Sequence, residues 1–129
     1  EFLQKKNPRL LIAFADCCNN VLPEESVPPV QNLYAYKSHM PIKAEKSNYK
    51  RLFVNTKGTI LLCGSAPGEF SWGTPKGGLF TQALLQSITQ ETFFPKPASW
   101  QTLIERAVLQ IIRQELGQNP QFILNISET

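Results

Sequence analysis

The groups best suited to chemistry stand together at the end of one apolar run. Leu10-Leu-Ile-Ala-Phe-Ala15 leads directly into Asp16, Cys17, Cys18, Asn19 and Asn20. A thiolate is a nucleophile, so either cysteine could attack a carbonyl. Asp16, the only aspartate in the chain, is a poor activator for a neighbouring thiol, because negative charge raises a thiol's pKa. It makes better sense as a receptor for a positive charge on a substrate. The plainer alternative is that Asp16 caps the following turn and the cysteines fill small core positions; spacing alone leaves both open. Adjacent cysteines could scarcely bridge each other, and the third, Cys63, leaves an odd number. With no Cys-x-x-Cys pair and one histidine, His39, no metal site built from this chain is expected. Unpaired thiols point to a reducing, cytoplasmic setting.

Such residues need a rigid platform. Continuous apolarity over Leu10–Ala15 predicts a strand buried on both faces, as in a parallel sheet with helices on each side. Thr59-Ile-Leu-Leu-Cys63 repeats the pattern and ends in the small-residue turn Gly64-Ser-Ala-Pro-Gly68. Gln121–Leu124 is a weaker strand, and Arg51–Val54 a short one. Trp100, Leu103, Ile104, Ala107, Val108, Ile111 and Ile112 recur at helical spacing between Ser99, a fitting N-cap, and Gly117, a fitting stop. A second helix is expected from about Leu79 to Thr89, and Thr92–Pro97 connects the two. The order of elements is that of an α/β fold, with the ligand crevice beyond the carboxyl ends of the strands. The connection from residue 21 to about residue 50 holds four prolines and is expected to be a long loop.

At 129 residues the chain is one domain, and 42% hydrophobic with 18% charged residues excludes a disordered protein. Its longest apolar run, six residues, is far short of a membrane span, and no signal peptide is visible, so a soluble protein is expected. The net charge of +3 is unevenly placed: Lys37, Lys43, Lys46, Lys50, Arg51 and Lys57 stand against Glu45 alone. That basic stripe reads as a solvated loop rather than a nucleic-acid surface, because Tyr34, Tyr36 and Tyr49 form no RNA-binding signature. The chain opens on Glu1 and its sole methionine is Met40, so a fragment of a longer protein is expected.

Three blocks in order carry a resemblance. Leu10–Asn19, with its apolar strand and Asp-x-Cys, resembles the catalytic turn of the caspase-like cysteine peptidases, most closely the metacaspase and bacterial orthocaspase branch. Thr59–Glu69 with Gly78-Leu-Phe-Thr-Gln-Ala-Leu-Leu85 is similar to that family's next core strand, its small-residue loop and its Gly-x-Phe-Thr-x-Ala-Leu helix. Gln118-Asn-Pro-Gln-Phe122 resembles the Gln-x-Pro-Gln segment that closes many bacterial members. The resemblance implies a caspase-like sheet with flanking helices, of which this chain is the C-terminal part. It implies Cys18 as the nucleophile and Cys17 as the variable position between. It makes Asp16 the base of the S1 pocket, hence cleavage of polypeptides after Arg or Lys, which agrees with the electrostatic argument. Glu69 and Trp72 are expected to line the cleft, with packing an equal alternative for Trp72.

The sequence also departs from the pattern. Asn19-Asn20-Val21 replaces the usual His-Ser-Gly, and nothing corresponds to the family's catalytic histidine, which lies upstream of the cysteine strand. His39, downstream, is read as exposed. The expected partner is therefore an N-terminal fragment of the same peptidase carrying that histidine, with proteins or peptides as substrates and no membrane. The basic loop is expected to be a second, autoprocessing site. Related metacaspases can require calcium, but Glu24 and Glu25 are too few acids for such a site, so no cofactor is expected. The alternative function is a catalytically inactive caspase-like module that binds protein.

Overall fold

The computed structural model of the chain describes residues 2–17 and 46–128. Cys18, the acids Glu24 and Glu25, His39 and most of the basic loop lie outside the described residues. After a short 3-10 turn at Gln4–Lys6 come β1 (Leu10–Ala15), α1 (Lys46–Tyr49), a π-helical turn (Lys50–Asn55) and β2 (Lys57–Cys63). A two-residue hairpin follows, β3 (Gly73–Thr74) and β4 (Gly77–Gly78), then α2 (Leu79–Phe93), α3 (Trp100–Ile112) and β5 (Gln121–Ser127).

The sheet is mixed and ordered β1-β2-β5. β1 runs parallel to β2, from Leu10 opposite Gly58 to Ala15 opposite Cys63, and β5 runs antiparallel to β2. Registers fix the faces. Ile60 and Leu62, fully or almost fully buried, point to one side with Leu10, Phe122, Leu124 and Ile126. α2 and α3 both pack on that side, through Leu79, Phe80, Ala83 and Leu84 and through Trp100, Leu103, Ile104, Ala107 and Ile111. This is the expected α/β fold, a sheet covered by helices. The expectation that β1 is buried on both faces is not met among the described residues. Leu11, Ala13, Leu61 and Ile123 point to the other face, where they line or border a shallow apolar depression of about 380 Å³, and Ile123 is 61% exposed. β1 is also an edge strand there.

Arg51–Val54 is a helical turn rather than the predicted strand. Thr56 donates both its N–H and its hydroxyl to the Arg51 carbonyl, a five-residue closure that winds the backbone. Leu52 is fully buried, and its carbonyl accepts the Trp100 indole N–H at 2.8 Å. A short apolar run cannot be told from a helix segment by periodicity alone. α2 continues to Phe93, one turn past the expected end, and stops where Pro95 forces Phe94 into an extended conformation. Buried Asn48 then clamps the connection, donating to the carbonyls of Phe94 and Lys96 and accepting from the Ala98 N–H, each at 3.0 Å.

Ser99 is the N-cap residue of α3, as its sequence position suggests, but its side chain makes no capping bond. Two carboxylates from elsewhere satisfy the helix start. Glu128 accepts from the Trp100 N–H at 2.6 Å, and Glu91 of α2 accepts from the Ser99 N–H at 3.3 Å. Glu91 is fully buried and forms an ion pair with Arg106 of α3 at 2.8 Å and a longer one with Lys96 at 3.6 Å. Removing one partner from such a pair strands the other's charge in a dry interior. Among the described residues no helix is long and apolar enough to cross a membrane. Arg106→Ala is expected to destabilise the fold by about 3 kcal/mol, read as a lowered urea midpoint at unchanged slope.

Candidate active site

Parallel pairing brings the carboxyl ends of β1 and β2 to the same edge, where Gly64 donates its N–H to the Ala15 carbonyl at 2.7 Å. Asp16 follows β1 there, half-buried, with Cys17 exposed beside it. The Cys17 carbonyl accepts a long bond, 3.4 Å, from the Ser65 hydroxyl. Cys18, the next residue, lies outside the described part.

The Asp16 carboxylate reaches across to the N-terminus of α2. Its Oδ2 accepts from the Thr81 N–H at 2.9 Å and from the Thr81 hydroxyl at 2.6 Å, and its Oδ1 accepts from the Ser71 hydroxyl. Thr81 is the third residue of α2, and the N-cap, Gly78, has no side chain to offer. Asp16 therefore supplies from another strand the acceptor that an N-cap side chain ordinarily gives, with its negative charge at the positive end of the helix. Two glycines make room for it. A Cβ on Gly78 would overlap Oδ2, and one on Gly64 would overlap Oδ1. Among the described residues, then, Asp16 is not the cap of its own turn but of a helix 65 positions away.

A second layer supports the first. Gln118, 1% exposed, donates to the Gly64 carbonyl at 2.7 Å and to Ser71 Oγ at 3.1 Å, while its Oε1 accepts from the Trp72 N–H at 3.0 Å. One amide thus joins the β2 turn, the Ser71–Trp72 loop and the entry to β5. Neither Ser71, Thr81 nor Gln118 is distinguished by chemistry in the sequence. Thr81 and Gln118 do lie in the blocks Gly78–Leu85 and Gln118–Phe122, and that is where a signal could have been found.

Glu69 and Trp72 lie in the loop after β2, beside this network. The Glu69 carboxylate accepts from the Asn119 side chain at 2.6 Å and from the N–H groups of Asn119 and Ala66 at 2.8 and 3.0 Å. The Asn119 side chain has the largest effect and lowers its pKa below the ordinary 4.5; burial, next in size, opposes it, and the two backbone donors add smaller downward contributions. Trp72 donates its indole N–H to the Leu116 carbonyl at 3.0 Å and packs against the core and Phe70. Both side chains thus tie the loop to the segment that leads into β5. Among the described residues no group of three or more His, Cys, Asp or Glu could hold a metal ion.

A family model described as a caspase domain matches residues 1–127. No curated protein matches the chain closely enough to count as a relative. The fit around Asp16 carries its own test. Gly78→Ala places a methyl group on the carboxylate and is expected to cost about 2 kcal/mol of stability. Gly73→Ala, where a Cβ meets only ordinary contacts at 3.5 Å and beyond, is expected to stay within about 0.5 kcal/mol; parallel urea titrations compare them.

Proposed function

The chain belongs to the caspase-domain family, and from that premise we propose that it is the C-terminal, nucleophile-bearing part of a cysteine endopeptidase of the metacaspase and orthocaspase type that cleaves after Arg or Lys. Asp16 carries this reading. It is a half-buried carboxylate, fixed by three donors at the carboxyl edge of a parallel strand pair, two residues before a cysteine. An acid so placed suits a cationic side chain, and an enzyme selective for aspartate would need a base there.

In this reading a histidine draws the proton from Cys18. The thiolate attacks the scissile carbonyl carbon, and backbone N–H groups, that of Cys18 among them, hold the oxyanion. As the C–N bond breaks, the histidine returns its proton to the departing amine. Water then hydrolyses the thioester and regenerates the thiol. A reducing, cytoplasmic setting suits such a thiolate. The only histidine of this chain, His39, follows the cysteine strand rather than preceding it, so the base is assigned to an N-terminal portion of the same peptidase. Among the described residues the outer edge of β1 has no neighbouring strand and the apolar face of Leu11, Ala13, Leu61 and Ile123 no covering helix, which supports a partner of that kind. Edge and face offer unpaired backbone and apolar area to a further strand and its helices. Glu69 and Trp72 border the cleft in this reading and shape it through the loop they anchor.

The lysines between Val30 and Asn55 suit an enzyme that cuts after basic residues, and that stretch is the proposed processing site. The full-length gene product is expected to hydrolyse fluorogenic peptides ending in Arg or Lys, and Cys18→Ala to lose at least about 10³-fold in rate. Mass spectrometry of the active protein should find a cut after Lys or Arg in that stretch. Equal rates with and without the Cys18 thiol would leave a protein-binding module as the better description.

A further inference from the structure

Resting on the reading of Asp16 as the receptor for a basic side chain, we propose that Thr81 is a specificity-determining residue, whose hydroxyl sets how many hydrogen bonds Asp16 can accept from that side chain. A carboxylate offers about four acceptor positions, two on each oxygen. On Oδ2 both are taken, by the N–H and the hydroxyl of Thr81 at 2.9 and 2.6 Å. On Oδ1 one is taken, by the Ser71 hydroxyl. Among the described residues one position therefore remains for a ligand. The carboxylate cannot turn to present another edge, because the backbones of Gly64 and Gly78 lie flush against its two oxygens.

Arginine reads a carboxylate through a rigid fork, two parallel N–H···O bonds with one to each oxygen. With Oδ2 filled, that fork has no second acceptor. Arginine is left with a single contact, which the ammonium of lysine makes equally well. The Ser71 hydroxyl is held in place from behind, since it also accepts from Gln118 Nε2 at 3.1 Å. The Thr81 hydroxyl is the group whose loss changes the acceptor count most simply. In Thr81→Val the shape and the backbone N–H stay, and each oxygen then has one position open, as the fork requires.

The test compares kcat/KM of the full-length gene product on peptides matched except for Arg or Lys at the cleaved position. For the wild type the two values are expected within about threefold of each other, as a single shared contact implies. Thr81→Val is expected to raise the Arg-to-Lys ratio about tenfold, the worth of one added charge-assisted hydrogen bond. Thr81→Ser keeps a hydroxyl and is expected to keep the wild-type ratio. If Thr81→Val lowers both substrates equally, Thr81 only supports the helix and the proposal fails. A wild-type arginine preference above about thirtyfold also overturns it, and needs no variant to fold. Failure of the underlying reading looks different: neither basic peptide is cut, or Asp16→Asn cuts both as fast as the wild type.

Discussion

One carboxylate organises the edge at which the parallel strands of this protein end. Asp16 leaves β1 and takes the place of a missing cap on α2, and its two oxygens meet donors from Ser71 and Thr81. Hydrogen bonds to a charged acceptor are stronger than those between neutral groups, so the strand end, the β2 loop and the helix start are held to one another. Gly64 and Gly78 are glycines because the carboxylate occupies the space where a side chain would begin. The sheet supplies direction, since its parallel pair delivers Asp16 and Gly64 to the same edge.

The rest of the domain keeps that edge still. α2 receives Asp16 at its start and is tied to α3 near its other end by the ion pair of buried Glu91 with half-buried Arg106. α3 in turn is seated by the Trp100 indole on the Leu52 carbonyl and by Glu128 at its first turn. Gln118 closes the circuit from β5 back to the β2 turn. Among the described residues, side-chain hydrogen bonds run mostly between elements rather than within them. Among the described residues the Ser87 hydroxyl alone is buried without a partner.

That pattern explains what the amino-acid order could and could not reveal. β1, the core of β2 and α3 were legible because apolar period and end signals act over a few residues: Leu10–Ala15 and Trp100–Ile112 have the expected bounds. So was the placing of Asp16 at the edge, which follows from where an apolar run stops. The π-helical turn was not, because what winds it is Thr56 reaching back to Arg51, with Arg9 donating to the carbonyls of Phe53 and Thr56. The capping of α3 misled, since Ser99 has the right chemistry while Glu91 and Glu128 make the bonds. Gln118 was visible only as part of a resemblance. An amide's role depends on three segments meeting around it, and no local window contains them.

The segment joining β1 to α1 is fastened at both of its roots. On one side six residues of β1 lie paired along β2, with Asp16 locked to α2; on the other, Asn48 is sewn into the 94–98 connection. A break anywhere between those roots would change the covalent path of the chain without setting either piece adrift.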